Sequence, residues 1–174
     1  DFLIGAPYND EGGADAGQAY LFMGGPYGWS RDIPLSDADA SFLGETSGDA
    51  AGMTLAGGGD LDGDGLDDFL IAAPYNDEAG TDGGKVYVWL GSLSGWASDT
   101  VLDAADTQIV AEADNNHAGW CMDVAGDVDR DGYDDVLIGA PWNRDAADQA
   151  GKVYLLFGGA GDHWAADLDL TDVD

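Results

Sequence analysis

An apolar run that ends in Ala-Pro occurs three times in this chain at a constant spacing. It starts at Asp1 as Asp-Phe-Leu-Ile-Gly-Ala-Pro, again at Asp68 and again at Asp135, so successive copies lie 67 residues apart. Three copies at one period indicate a repeat array, in which each repeat is one supersecondary unit. A tryptophan follows at 29, 96 and 164, and the longer last interval implies one inserted residue after Leu156.

Each repeat contains four short apolar segments with the composition of β-strands. In the second repeat they cover about residues 52–56, 69–73, 85–90 and 108–111, bounded by Gly, Asp, Asn or Pro. Short runs rich in Val, Ile, Tyr and Trp predict strands, and no window shows a helical period. The pattern predicts an all-β fold in which each repeat is a β-propeller blade of four antiparallel strands.

Two acidic nonapeptides each run directly into one of these strands. They are Asp-Leu-Asp-Gly-Asp-Gly-Leu-Asp-Asp at 60–68 and Asp-Val-Asp-Arg-Asp-Gly-Tyr-Asp-Asp at 127–135. Carboxylates at positions one, three, five and nine repel one another unless a hard cation lies among them, and Ca²⁺ takes about six to eight oxygen ligands. The glycine at position six predicts a sharp turn with positive φ that directs the next carbonyl inward.

The spacing therefore predicts four carboxylate ligands and one carbonyl ligand to Ca²⁺ in each loop. The predicted ligands are Asp60, Asp62, Asp64, Leu66 (carbonyl) and Asp68 in the first loop, and Asp127, Asp129, Asp131, Tyr133 (carbonyl) and Asp135 in the second. An EF-hand begins in the same way but needs a bidentate Glu at position twelve. This chain has Ile71 and Ile138 there, so the EF-hand is excluded.

The acidic loop, the apolar strand with Ala-Pro, and the preceding Ala-Gly-Met or Ala-Gly-Trp together resemble the FG-GAP repeat. This repeat builds the propellers of integrin α-subunits and occurs in many secreted bacterial proteins. The resemblance covers essentially the whole chain and implies a seven-bladed propeller, with calcium bound by the same loop residues between the first two strands of certain blades. Ala72 replaces a Gly of the other copies, and Arg130 replaces Gly63, which would lower the affinity of the second loop.

The period divides the chain into three blades. Residues 1–49 form a partial blade that lacks its first strand and most of its calcium loop, residues 50–116 form a complete blade, and residues 117–174 form a partial blade that lacks its last strand. About 2.6 repeats are too few to close a propeller, which typically has ~4–8 blades. We therefore expect a segment of a larger propeller, or several copies assembled head to tail.

The charge balance excludes several classes of partner. The chain has 35 acidic residues and five Lys or Arg, a formal charge of −30, so it lacks the basic clusters that nucleic acids and anionic membranes require. No run approaches the ~20 apolar residues of a membrane span. We expect an extracellular or cell-surface module with neither nucleic-acid binding nor membrane insertion.

No group of residues predicts catalysis. His117 and His163 have no counterparts in the other repeats, and we expect both to be solvent-exposed loop residues. Two histidines without cysteine pairs do not form a convincing zinc site. The single cysteine, Cys121, excludes an internal disulfide and is expected to be a small buried side chain.

Two further sets of aligned residues have structural interpretations. Trp29, Trp96 and Trp164 predict packing between blades, with carbohydrate stacking as the alternative. Asn9, Asn76 and Asn143 follow each Ala-Pro and predict capped turns, because Asn bonds to nearby backbone. The alternative that these turns bind a second cation weakly is left undecided by the sequence.

The leading hypothesis is a calcium-binding, non-catalytic structural or adhesive module built of FG-GAP repeats. Its partner would be another protein, or further copies or segments of the same chain. The alternative is a non-catalytic accessory domain of a secreted hydrolase, with glycan binding as one option.

Overall fold

The computed structural model describes residues 1–26, 32–164 and 167–173 of the chain. The strands in these ranges are β1 (Phe2–Ala6), β2 (Gln18–Phe22), β3 (Ala40–Leu43), β4 (Thr54–Gly59), β5 (Asp68–Ala73), β6 (Lys85–Trp89), β7 (Thr100–Val101), β8 (Thr107–Val110), β9 (Cys121–Gly126), β10 (Asp135–Ala140), β11 (Lys152–Leu156) and β12 (Leu168–Asp169). Short 3₁₀ helices lie at Leu35–Asp37, Leu102–Ala104, Gly161–Trp164 and Leu170–Asp172. Within the described ranges, no helix is long and apolar enough to span a membrane.

The strands form three sheets, which confirms the predicted all-β fold of propeller blades. The first sheet has the order β1-β2-β3-β7, the second β4-β5-β6-β8-β12 and the third β11-β10-β9. All four strands predicted for the second repeat are present, and their ends differ from the prediction by no more than three residues. The largest difference is in β4, where an irregularity between Gly57 and Gly59 lets pairing with β5 continue to Gly59.

One short strand from each later repeat joins the sheet of the repeat before it. β7 pairs in parallel with β3, and β12 pairs in parallel with β8. Asp99, just before β7, accepts hydrogen bonds from the Ser41 hydroxyl at 2.9 Å and the Gln18 amide at 3.2 Å. Leu102 and Leu170, just after the two strands, are fully buried. These crossing segments fasten each repeat to the preceding sheet.

Neighbouring sheets bury their apolar faces against one another. Between the first and second sheets, the ring of Phe42 lies 4.7 Å from that of Trp89 and 5.4 Å from that of Phe69, centroid to centroid. Because the apolar contacts lie between sheets, each blade depends on its neighbours for stability. Between the second and third sheets, one buried cluster contains residues of both sheets, among them Leu70, Val88, Val136, Ile138, Tyr154 and Leu156.

Two of the three aligned tryptophans fill these interfaces, which confirms the packing interpretation for both. Trp164 is buried, and its indole N–H donates a hydrogen bond to the Leu61 carbonyl at 3.1 Å. Trp96 packs edge-on against Phe69, with ring centroids 5.1 Å apart. Trp29 lies outside the described residues.

Two sequence expectations about single residues are wrong. Cys121 is exposed rather than buried, because β9 is an edge strand of the third sheet and its alternate residues face solvent. His117 is half-buried rather than exposed, because its ring packs 5.2 Å from that of Tyr75 and 4.6 Å from that of Trp142. His163 is exposed, as expected.

Replacing Trp164 with alanine is expected to lower the free energy of unfolding by about 3–5 kcal/mol, because it leaves a cavity between the second and third sheets. Urea denaturation in calcium measures this loss. Leu93→Ala is the matched control, since Leu93 is 93% exposed and a surface change of this kind stays within about 0.5 kcal/mol. Equal losses in the two variants would contradict an interfacial role for Trp164.

Candidate metal centre

The two acidic loops occupy the same position in consecutive sheets. Residues 60–67 connect β4 to β5, and residues 127–134 connect β9 to β10. Gly65 and Gly132 have φ angles of +87° and +100°, a region that glycine enters without a Cβ clash. The positive φ predicted at position six is therefore confirmed in both loops.

Three carboxylates converge in each loop. The converging oxygens lie within 4.8 Å of one another and belong to Asp60, Asp62 and Asp68 in the first loop and to Asp127, Asp129 and Asp135 in the second. Hard oxygen donors of this kind suit Ca²⁺, whereas softer metals prefer cysteine or histidine. The donor set of each loop therefore fits calcium.

Backbone amides orient the first aspartate of each loop. The two carboxylate oxygens of Asp60 accept hydrogen bonds from the amides of Gly63 and Gly65, at 2.8 and 3.0 Å. Asp127 accepts from the equivalent amides of the second loop at 2.6 and 3.1 Å. The turn conformation of each loop thus fixes the direction of its first carboxylate.

The last aspartate of each loop is buried and joins three parts of the chain. Asp68 accepts hydrogen bonds from the amides of Leu61, inside the loop, and Gly91, after β6, both at 2.6 Å. Asp135 makes the same two contacts in the third repeat, at 2.7 and 2.9 Å. Each of these carboxylates therefore connects its loop to the second and third strands of its blade.

Burial of Asp68 raises the free energy of its ionised form. Burial raises the pKa of this carboxyl to about 6, and the neighbouring carboxylates of Asp62 and Asp60 add to the increase, while hydrogen bonds from Gly91 and Leu61 oppose it. A bound cation would offset the same repulsion by supplying positive charge.

The other predicted ligands lie beside these groups. Among the described residues, Asp64 and Asp131 are outside the two sets of converging oxygens. Their carboxylates accept hydrogen bonds from the amides of Leu66 and Tyr133, at 2.8 and 3.0 Å. Asp64, Asp131 and the two carbonyls stay predicted ligands.

Sequence reasoning misses a contact between the two loops. The Asp60 amide donates to the Asp134 carboxylate at 2.9 Å, and the Asp134 amide donates to the Asp60 carbonyl at 3.0 Å. The only sequence signal is the acid before position nine in both loops, Asp67 and Asp134. The sequence does not show that consecutive loops meet, so the support that the second loop gives the first emerges only from the fold.

The asparagine turns lie at the opposite end of the sheets and are capped as predicted. Asn9, Asn76 and Asn143 each accept a hydrogen bond from the amide two residues on, at 2.8 to 3.0 Å. Beside the second turn, the Lys85 ammonium lies 3.2 Å from Glu45 and 2.6 Å from Glu78. A lysine thus provides the positive charge among the acids there.

Four rings cluster at that same end: Tyr75, His117, Trp120 and Trp142. The Trp142 ring lies 4.6 Å from both His117 and Trp120, centroid to centroid, and Trp120 is 37% exposed. Tyr75 follows β5 and Trp142 follows β10, so the cluster spans the second and third sheets. The aromatic residue after each Ala-Pro is the sequence signal that could have indicated it.

Comparison with known proteins finds related sequences for most of the chain. The family model described as FG-GAP repeat matches residues 51–89 and 123–156, and the two segments contain the two acidic loops. Integrin alpha-IIb of Homo sapiens is 33% identical over 149 residues, which cover 80% of this chain. Integrin alpha-4 of Xenopus laevis is 30% identical over 158 residues, which cover 91% of this chain.

A third relative, integrin alpha-PS2 of Drosophila melanogaster, is 34% identical over 127 residues, or 68% of this chain. The matched regions are a small part of these proteins. They make up 13% of integrin alpha-IIb and of integrin alpha-4, and 8% of integrin alpha-PS2.

The buried Asp68 gives the metal-free protein a specific pH dependence. Because its pKa is raised to about 6 in the folded state, its stabilising contribution is present below the unfolded pKa near ~3.9 and is lost as the pH rises through about 6. In a chelator, the melting temperature should therefore fall as the pH rises from about 4 to about 6.

Asp68→Asn should make that fall smaller. Asp49, whose pKa burial also raises to about 6, should preserve part of the fall in this variant. An unchanged pH dependence in Asp68→Asn would contradict the assignment.

Proposed function

The chain carries FG-GAP repeats, and we propose on that basis that it is a calcium-binding, non-catalytic interaction module of an extracellular protein. Two features support this proposal. The carboxylate sets of the two loops provide cation sites, and the opposite end of the sheets presents an aromatic surface for a protein partner.

The duplicated carboxylate set is the observation that carries the proposal. Asp60, Asp62 and Asp68 converge in one loop, and their counterparts converge 67 residues later in the next. Three carboxylates gathered without a cation repel one another, and repetition of the arrangement at the same place in two blades argues against a chance cluster of acids. Calcium would be held by the predicted ligands of each loop, and its charge would offset this repulsion.

The ion would strengthen the fold through residues that already connect its parts. Asp68 contacts both its own loop and the segment after β6, so holding this carboxylate in place ties the first three strands of the blade together. Asp60 is hydrogen bonded to the second loop through Asp134. An ion in the first loop would therefore also stabilise the contact between consecutive blades.

A protein partner is proposed to bind at the end opposite the calcium loops. Aromatic side chains are enriched at the centres of protein interfaces, and Trp120 presents part of its ring to solvent within the four-ring cluster. The net charge of −30 favours a partner with a basic surface. Trp164 is buried and Trp96 packs between sheets, so these two residues do not support the glycan alternative.

Isothermal titration should detect two calcium ions per chain. Asp62→Asn and Asp129→Asn should each weaken one site by about tenfold or more, because each removes a carboxylate from a converging set. Asp37→Asn is the control, since Asp37 is exposed and outside both loops. Binding that is unaffected by both loop variants, or lost equally in the control, would contradict the proposal.

A further inference from the structure

One peptide group connects the two acidic loops. Its carbonyl belongs to Tyr133, a predicted calcium ligand of the second loop, and its N–H belongs to Asp134 and donates to the Asp60 carbonyl of the first loop at 3.0 Å. A peptide group is planar, so anything that fixes its carbonyl also fixes the direction of its N–H. The predicted carbonyl ligand of one loop is therefore rigidly joined to a hydrogen bond with the other loop.

The Asp134 side chain adds a second hydrogen bond to this contact. Its carboxylate accepts from the Asp60 amide at 2.9 Å, so Asp60 both donates to Asp134 and accepts from it. Asp60 is also the first carboxylate of the converging set in its own loop. Asp134 lies in the chain between Tyr133 and Asp135, two predicted ligands of the second loop. The contact thus joins a ligand of the first site to the segment that carries two ligands of the second.

The Tyr133 ring also contacts the turn of the first loop. A Cβ added at Gly63 would lie 2.5 Å from this ring, and the Gly63 amide donates to the Asp60 carboxylate at 2.8 Å. The second loop has Arg130 at the same position, with a φ of +70° against +80° at Gly63, so the turn itself accepts a side chain there. The glycine at 63 therefore leaves room for the Tyr133 ring, which packs on the turn that orients Asp60.

We infer that the two calcium sites are positively coupled through Asp134, so that calcium in the second loop raises the affinity of the first. The inference rests on the proposed function, because it concerns the ions that the loops are proposed to hold. Calcium in the second loop would fix the residues on either side of Asp134, and Asp134 would then hold Asp60 in place before the first loop is filled. Part of the ordering that the first site requires is thus complete in advance. The coupling is reciprocal, so calcium in the first loop raises the affinity of the second by the same factor.

The charges of the two ions oppose this coupling. Calcium in one loop reduces the negative potential that attracts calcium to the other. Salt screens that effect, because the Debye length is about 8 Å at ~0.15 M ionic strength. The hydrogen bonds between Asp60 and Asp134 are short-range and join half-buried residues, so salt weakens them less. We therefore expect the coupling to be positive at ~0.15 M salt.

Calcium titration followed by amide NMR tests the coupling, because one glycine reports each loop. The Gly65 amide donates to Asp60 at 3.0 Å, and the Gly132 amide donates to Asp127 at 3.1 Å. Asp129→Ala removes a carboxylate from the converging set of the second loop. It should raise the calcium concentration at the Gly65 midpoint by about fivefold, the lower end of typical couplings between sites.

The same substitution in an Asp134→Ala background should raise the Gly65 midpoint by less than about twofold, because one hydrogen bond between the loops is missing. Asp129→Ala also removes a charge near the first loop, but this effect is present in both backgrounds and cancels in the comparison. Asp67→Ala is the matched background, since Asp67 is an exposed acid at position eight of the first loop. There the shift should stay at about fivefold.

Hydrogen exchange in Asp62→Ala provides a second measurement that leaves Asp134 intact. This variant lacks a carboxylate of the first converging set, so calcium fills the second loop first. Filling of the second loop should slow exchange of the Asp60 amide, which donates to Asp134, by about fivefold. The hydrogen-bonded Asn76 amide, at the opposite end of the sheet, is the reference.

Equal shifts of the Gly65 midpoint in the wild-type and Asp134→Ala backgrounds would overturn the inference, as would an unchanged or lowered midpoint in Asp129→Ala. Equal exchange of the Asp60 amide with the second loop empty and filled would also overturn it. In all these outcomes both glycine amides still respond to calcium, so the proposed function stands. If neither Gly65 nor Gly132 responds to calcium in the wild type, the proposed function fails, and the inference fails with it.

Discussion

The carboxylate that ends each acidic loop is the constraint on which the rest of the structure depends. Asp68 is buried, yet it accepts two backbone hydrogen bonds that connect its loop to the segment after β6. Asp135 repeats this arrangement. Burying such a charge is costly unless it is paired, and the nearby aspartates increase the cost. The residues that hold the blade together therefore also concentrate negative charge, which a bound cation would offset.

Apolar packing between consecutive sheets connects each blade to the next. Phe42, Phe69 and Trp89 fill one interface, and Trp164 and Leu61 meet in the next. The crossing strands β7 and β12 add backbone pairing between consecutive repeats. Because each blade buries its apolar faces against its neighbours, the stability of one repeat depends on the next. The hydrogen bond between Asp60 and Asp134 adds a direct link between consecutive loops.

The sequence predicts features that depend on local pattern. The 67-residue period locates the strands, and the acid spacing locates both loops, because alternation of apolar runs with turn residues is a short-range signal. Features that depend on contacts between distant residues could not be predicted from this local pattern. Burial of His117 follows from rings in two sheets, exposure of Cys121 follows from the edge position of β9, and the Asp60–Asp134 contact joins separate repeats. No local pattern specifies these arrangements.

Hydrogen exchange with and without calcium tests the central claim most directly, because the Leu61 and Gly91 amides both donate to Asp68. If calcium stabilises the blades through this carboxylate, both amides should be protected in calcium and should exchange faster after chelation, together with amides of β4 and β5. The hydrogen-bonded amides of Asn76 and Gly84, at the opposite end of the sheet, provide the internal reference. Equal protection of the Leu61 and Gly91 amides in calcium and in chelator would contradict the account.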